Sequence, residues 1–594
     1  MKLSRVSSPY MQQIVYYLRR EKWLFLAGFL ALLLSSASQL LPPLIVGHII
    51  DNSIPNKDMA DMLRYGLAFV AIILISGLLS FAQINILGKL GVKIITEFKR
   101  KVFQHLLKAP VSYFNEHPVG ELIAKVESDS EQVRGLFSST SIAILGNLLF
   151  FTGVYVVLLL RDSRITLTLT PPILVITVSF FFLARLMTKV FKRVRELYAE
   201  ITARITDYVQ GMLVIQVLNR QQKVFDQLFG LSRSKKVLDT RINFMIYGVF
   251  NAYQFIFSVV FIIVIIRLSA PGIIAGISTI GTLFIFMQYI NRLISPLIQL
   301  SFGIIEIQRS FVSLQRIMDL TGLETEEQIH PGSLKHSYEH EIRFEHVWFA
   351  YNREEWVLRD VSFTIPKGGK LGLVGPSGSG KSTVVSLLCC FYRPGKGCIY
   401  VDGIPLQEID LFTWRRQIGL ILQDIFVFPG NITENVRVYN DDIAESEVKQ
   451  AIGIVQLDSF IENLPQGMET ELAERGQNIS QGEKQLLSFA RALAFSPDLI
   501  IMDEATASID SVTEAKIQDT ITKVLHNKTA VIVAHRLSSI VDADEILYFK
   551  EGQVHRRGNH SQLLDVCPEY RHMFELQDSQ AQSAAPEEEV EDAG

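Results

Sequence analysis

Five runs of this chain contain no Asp, Glu, Lys or Arg: Trp23 to Ile50, Tyr65 to Gly88, Gly135 to Leu160, Ile165 to Ala184 and Ile242 to Ile266. Each is about 20 residues or longer, the length that crosses a hydrocarbon layer as a helix. Inside such a layer only helices and closed barrels satisfy their own backbone groups, so runs like these call for membrane helices. A sixth segment, from about Ile273 to Leu297, is interrupted by Arg292. Counted from the turn expected at Pro271–Gly272, Arg292 falls near the inner boundary, where an arginine snorkels to water; the other reading is a residue lining a substrate cavity. The 594 residues and a mean hydropathy of +0.25 fit several domains, one of them in a membrane.

Charge sets the orientation. The connection from Lys89 to Arg134 holds Lys99, Arg100 and Lys101, and that from Arg185 to Arg241 holds Lys192, Arg193, Arg220, Lys235 and Lys236. These are expected on the cytoplasmic side, with the short loops Asp51–Arg64 and Arg161–Arg164 opposite. Both termini are then cytoplasmic. Each long connection reads as two membrane helices continuing into the cytosol, turning at Pro110–Asn115 and near Asn219–Gln222, because structureless loops of that length are rare. Such a turn is placed to dock on a cytosolic domain. Met1–Arg20, with Tyr10, Ile14, Tyr17 and Leu18 at helical spacing, reads as an interfacial helix and not as a cleavable signal.

After Leu320 the pattern changes. Residues 1–320 read as a six-helix transmembrane domain, 321–340 as a polar linker, 341–575 as an α/β domain with a largely parallel sheet, and 576–594 as an acidic, disordered tail. The net charge of −4 shows no bias toward nucleic acid. The four cysteines, Cys389, Cys390, Cys398 and Cys567, have no metal-ligand spacing and read as reduced thiols.

The α/β domain carries GPSGSGKST at Gly375–Thr383. Gly375, Gly380, Lys381 and Ser382 fit G-x-x-x-x-G-K-[ST], a phosphate-binding loop between a strand and a helix N-terminus. Ser377, Gly378 and Ser379 complete the turn, Lys381 reaches the outer phosphates, and Ser382 can ligate Mg²⁺, with Thr383 beginning the helix. Leu499–Asp503 is an apolar strand ending in two carboxylates. Asp503 suits Mg²⁺ through water, and Glu504 would face the γ-phosphate and position the attacking water. His535 ends another apolar strand, Val531–Ala534. Strand ends on one edge of a parallel sheet are where ligands bind.

Asn478–Gln485, followed by Ala490–Leu493, resembles the LSGGQ signature helix of ATP-binding cassette (ABC) transporters. Thr470–Gly476 resembles the TEVGERG segment of exporters in that family, and Pro110, Phe114 and Gly120 look like its first coupling region. The resemblance covers nearly the whole chain. It implies that Tyr351 stacks on adenine, that Gln423 senses Mg²⁺ and the membrane domain, that Ser508 and Asp510 belong to the D-loop, and that His535 is the switch histidine. The implied fold is a six-helix all-α membrane domain followed by an α/β P-loop nucleotide-binding domain, with ATP and Mg²⁺ as ligands. The implied activity is ATP hydrolysis coupled to export of hydrophobic or amphipathic compounds, drug-like molecules or lipids, by alternating access. Importers of the family usually keep their ATP domains on separate chains, and soluble members lack the apolar spans.

The sequence departs from the family pattern at Ile479–Glu483. Ser480 and Gly482 remain, Gln481 replaces a glycine, and Glu483 replaces a glutamine and brings negative charge to a phosphate site. Asp503, Glu504 and His535 are intact. The chain is therefore similar to the subunit of bacterial heterodimeric multidrug exporters that keeps its catalytic glutamate. The resemblance implies a multi-pass protein of a bacterial cell membrane. It also implies a partner half-transporter with an LSGGQ signature and a degenerate glutamate, and Ser480, Gln481, Gly482 and Glu483 acting on that partner's ATP. Alternatives are a homodimeric lipid flippase and an ATP-gated channel or regulator; intact Glu504 and His535 favour hydrolytic turnover.

Overall fold

The computed structural model describes residues 19–137, 139–276, 278–352, 355–503, 511–534 and 536–584. Most of the expected interfacial helix and the acidic end of the tail lie outside these residues. The chain divides into two compact units, residues 1–107 with 118–323, and residues 108–117 with 324–594.

The first unit is helical. Its long helices cover the six apolar segments: Lys22–Ser38 continued by Leu41–His48, Met59–Leu106, Ser139–Arg161, Ser163–Gln210, Phe250–Ile274 and Ile280–Thr321. Among the described residues, four helices are by themselves long and apolar enough to cross a membrane: Lys22–Ser53, Met59–Leu106, Ile142–Arg161 and Phe257–Ile274. Met59–Leu106 and Ser163–Gln210 have 48 residues each. At 1.5 Å per residue each is about 72 Å long, more than twice the ~30 Å hydrocarbon thickness. Leu67, Leu74, Leu78 and Phe81 stay exposed along Met59–Leu106, as a lipid-facing helix requires. Inward, Phe261, Ile265, Phe286, Tyr289 and Val154 are buried in one cluster. Helices approach closely at small residues: a Cβ on Gly28 would lie 2.3 Å from Leu87 Cδ2, and one on Gly47 would lie 2.5 Å from Ile285 Cδ1. Beyond the apolar stretch, Arg316 Nη2 and Ser313 Oγ both donate to Asp129 Oδ1, at 2.7 and 2.8 Å.

The chain does not reverse at Pro271–Gly272. Pro271 lies inside the helix Phe250–Ile274, near enough to its end to remove one hydrogen bond without stopping the helix. The reversal comes before Thr279, whose side chain caps Ile280–Thr321. Arg292 thus sits about 12 residues, roughly 18 Å, into that helix, near the middle of a ~30 Å layer and away from its boundary.

The second unit contains a six-stranded sheet in the order Gln553–Gly558, Glu545–Lys550, Lys370–Val374, Thr529–Val533, Leu499–Asp503, Ile418–Ile421. All pairings are parallel except the edge hairpin of the first two strands. Leu373, Ile501 and Val531 are fully enclosed, so the central strands read as continuous apolar runs. A second, antiparallel sheet joins Leu358–Pro366, Glu341–Phe349, Lys396–Val401 and Ile404–Pro405; it holds the aromatic residues before the phosphate loop.

Two expected boundaries move. The 321–340 linker is tied down from Glu324 onward. Thr325 and Gln328 form a capping box, and Glu326 takes a two-pronged contact from Arg415 at 2.6 and 2.8 Å, a geometry that fixes a carboxylate firmly. At the other end, the helix Pro568–Ala584 runs into the stretch expected to be disordered from 576. That stretch has no Pro or Gly before Ala584, and Gln577 Oε1 accepts the Leu537 N–H at 2.8 Å. The short helix Val111–Glu116 belongs to this unit although it comes from the membrane half of the sequence. Lys108 O accepts from Glu326 N at 2.8 Å, and Asn115 Nδ2 donates to the Tyr392 hydroxyl at 2.9 Å.

Candidate functional site

The register of the parallel sheet brings the expected nucleotide residues to one edge. Val533 pairs with both Leu373 and Asp503, and Ile421 pairs with Met502. The segments beginning at Gly375, Asp503, Ala534 and Leu422 therefore leave neighbouring strands at the same level. Glu504, Ser508, Asp510 and His535 follow these ends but lie outside the described residues. Gln423 is exposed just past its strand.

The loop after Lys370–Val374 needs its glycines. Gly375 has φ +150° and Gly380 φ +105°. A Cβ would fall 2.2 Å from Phe549 O at the first and 2.6 Å from Leu358 Cδ2 at the second. Ser377 and Gly378, the latter at φ +78°, form the exposed tip. A turn of this kind aims backbone N–H groups at one point, and the helix Lys381–Leu388 starts directly behind it. Lys381 is buried beneath the loop, donating to Gly375 O at 2.8 Å and Pro376 O at 3.0 Å. Ser379 Oγ is buried with no hydrogen-bond partner among the described residues. A hydroxyl so placed is costly unless a ligand completes it, and a phosphate oxygen is the natural acceptor.

Ser382 Oγ lies 3.5 Å from Asp503 Oδ1. That is long for an O–H···O bond and suits two oxygens that share a small cation or its water. The residues present therefore fit a Mg²⁺–nucleotide. On the other side of the loop, Tyr351 is half exposed; its hydroxyl lies 3.2 Å from Thr383 Oγ1 and its ring stands edge-on against Phe349 and Tyr392. An open face on a braced ring can stack on a base. Tyr392 is also the acceptor of the Asn115 amide, so one aromatic joins the short helix Val111–Glu116 to this platform. Nothing in the sequence singled out Tyr392, which follows the loop helix with no motif around it.

Ser480 and Glu483 stand apart from these residues: no hydrogen bond or ion pair joins them to the phosphate loop among the described residues. Ser480 caps the helix Gln481–Ala494. Its Oγ accepts the Glu483 N–H at 3.3 Å, and the Glu483 carboxylate accepts the Ser480 N–H at 2.6 Å. The pair forms a reciprocal capping box, so the anion-attracting end of this helix already holds a carboxylate of its own chain. Gln481 is exposed beside it and Gly482 is buried. Further along, Arg491 donates to Asn435 O and Phe426 O, both at 3.0 Å, and lies over the Phe428 ring. Burial lowers its pKa. This arginine fastens the helix Gln481–Ala494 to the segment that follows Gln423.

A second concave region lies in the helical unit. A cavity of 470 Å³ is lined by Ser36, Gln39, Gln83, Asn147, Arg292 and Gln299, with Leu32, Phe150 and other apolar side chains. The expectation that Arg292 snorkels at a boundary is corrected: it lines this cavity. The difference follows from the late start of its helix, at Ile280 and not soon after Gly272.

Residues 25–297 match the family model described as the ABC transporter transmembrane region, and residues 358–507 match that described as ABC transporter. The chain is 33% identical over 496 residues to a probable multidrug resistance ABC transporter ATP-binding/permease protein, YheH, of Bacillus subtilis, covering 83% of this chain and 73% of that one. It is 28% identical over 542 residues to a multidrug resistance ABC transporter ATP-binding and permease protein of Lactococcus lactis, covering 89% and 90%. Among solved structures, a bacterial Atm1-family ABC exporter with ATP bound superposes with a TM-score of 0.78 at 25% identity, covering 96% of this chain and 99% of that one.

Proposed function

We infer that this chain, which belongs to the ABC transporter family and carries an exporter's transmembrane region and ATP-binding domain in one polypeptide, is the hydrolytically competent half of an asymmetric pair. ATP hydrolysis by its ATP-binding domain is coupled to transport. In our reading Tyr351 stacks on adenine, while the Gly375–Thr383 loop and Lys381 hold the phosphates. Ser382, Gln423 and Asp503 hold Mg²⁺, which neutralises charge on the phosphates. Glu504 positions the attacking water and His535 braces the γ-phosphate, with Ser508 and Asp510 at the junction with the partner. The docking of Val111–Glu116 against Tyr392 supports coupling of this site to the membrane helices. Both termini and the ATP site face the cytoplasm of a bacterial cell. The substrate is an amphipathic or hydrophobic compound, as the multidrug designations of the relatives suggest.

The observation that carries the asymmetry is the Glu483 carboxylate on the Ser480 N–H. A signature helix that closes over a partner's γ-phosphate must offer that phosphate its N-terminal donors. Here the side chain held on one of them is a carboxylate, whose charge repels the incoming phosphate where the usual glutamine would be neutral. The site built from this signature is then weak, and the chain's own ATP is hydrolysed against a standard signature on a different half-transporter. Purified alone and reconstituted, the chain is expected to show little ATPase activity. Robust turnover by the pure homodimer, abolished by Glu504→Gln, would overturn the asymmetric pair.

A further inference from the structure

We propose that the cavity of the helical unit is a binding site for the anionic group of an amphipathic substrate, with Arg292 as its cation. The proposal rests on the exporter reading and names the class of compound exported.

Three observations carry it. Arg292 lies near the middle of the membrane-spanning stretch, where an ionised side chain is costly and is retained when it faces a cavity or a partner. The walls of the 470 Å³ cavity include Arg292 and several amides and hydroxyls but no carboxylate, and among the described residues no Asp or Glu pairs with the guanidinium. The polar wall is also organised: Asn147 Nδ2 donates to Gln299 Oε1 at 3.1 Å, and Gln299 Nε2 donates to Ser295 Oγ at 3.1 Å.

The bland account is that Arg292 serves as a helix cap. Its Nη1 donates to Gln39 O at 3.2 Å. In an unbroken helix that carbonyl would accept from residue 43, and Pro43 has no N–H. This explains one of the five guanidinium N–H groups; a neutral amide could do as much without bringing a charge into the membrane. The remaining donors and the uncompensated charge suit a carboxylate, sulfonate or phosphate. Leu32 and Phe150 on the same cavity would receive an apolar portion, and the volume fits a drug-sized molecule.

The full-length chain in phosphatidylcholine nanodiscs can be titrated with 5-carboxyfluorescein, an anion, and with rhodamine 123, a cation on the same ring system, using fluorescence polarisation without nucleotide. Carboxyfluorescein is expected to bind at least tenfold more tightly. Arg292→Gln should weaken it about tenfold or more, the usual worth of charge-assisted hydrogen bonds, and leave rhodamine 123 within twofold. Arg292→Lys should keep the preference. Asn147→Asp, which adds a carboxylate across the cavity and spares the Gln39 carbonyl, should abolish it even if Arg292→Gln does not fold. Adding phosphatidylglycerol separates two sources of the anion: competition identifies a lipid headgroup, and its absence a free amphiphile. Equal or reversed preference, a parallel loss of both dyes in Arg292→Gln, or no saturable anion binding overturns the proposal. None of these readouts needs turnover or a partner half. Failure of the exporter reading would appear elsewhere, as an absence of ATP-dependent accumulation in vesicles.

Discussion

Restoring a standard signature by Gln481→Gly with Glu483→Gln is expected to let this chain hydrolyse ATP as a homodimer. Glutamine keeps an oxygen for the Ser480 N–H, which the wild-type carboxylate accepts at 2.6 Å, so the capping box survives. The helix loses only the favourable interaction of a charge with its N-terminus, about 0.3–1 kcal/mol. Facing a nucleotide, the same change removes a like charge. At ~6 Å and an effective dielectric of ~20, two unit charges repel by about 3 kcal/mol. Salt at physiological strength leaves roughly 1–2 kcal/mol of this, or ~5–30-fold in nucleotide affinity. Stability and nucleotide closure therefore move in opposite directions, which separates the phosphate role from a purely structural cap. The assay is ATPase activity in proteoliposomes of the chain alone, with thermal unfolding in parallel. Turnover should rise about tenfold, the melting temperature should fall slightly, and a further Glu504→Gln should remove the gain. A wild-type chain that already matches the double variant, or a variant that only loses stability, would refute the reasoning.

Two further expectations follow from the second unit. Tyr392→Phe removes the acceptor of the Asn115 amide, held at 2.9 Å, and keeps the ring that braces Tyr351; the bond is worth about 0.5–1.5 kcal/mol. ATP binding, read by a fluorescent nucleotide, should stay within twofold, while stimulation of ATPase by transported compound should fall; equal loss of both would contradict a coupling role. Burial pushes the His330 pKa down to about 4 from 6.5, so the ring is neutral in the folded domain. The unfolded chain binds that proton first as pH falls. Stability from this group is therefore complete above about pH 6.5 and is lost toward pH 4, by roughly 1–2 kcal/mol once partial water access is allowed for. Denaturant titrations of wild type and His330→Phe should diverge across that window and nowhere else.

What was legible in the sequence depended on whether the determinant was local. The phosphate loop was legible because Gly375 and Gly380 are demanded by backbone geometry that no other residue adopts at low cost. The membrane helices were legible because bilayer thickness fixes the length of an apolar run. The altered signature could be read as a change of charge, but the mutual capping of Ser480 and Glu483 became visible only with the helix register in place. Tyr392 could not be found this way, since its role comes from Asn115, which lies 277 positions away in sequence. The order within the linker has the same non-local origin: Glu326 is one more polar residue in sequence, and its partner Arg415 lies far along the chain.

The depth of Arg292 is set by where the preceding helix ends. A proline and a glycine in sequence read as a turn, yet Pro271 stands inside a helix that continues to Ile274. A turn at Pro271–Gly272 would carry every later residue toward the inner boundary, where an arginine reaches water. With the reversal displaced to Thr279, the same arginine comes to mid-membrane, where water is out of reach along its own helix. The break between Lys22–Ser38 and Leu41–His48 then supplies a carbonyl with no intrahelical donor, and the guanidinium also lines the cavity beside it. One proline is absorbed within a helix and another leaves a backbone group unpaired. Together they account for the position of Arg292 on the cavity wall and for its one backbone partner, Gln39 O.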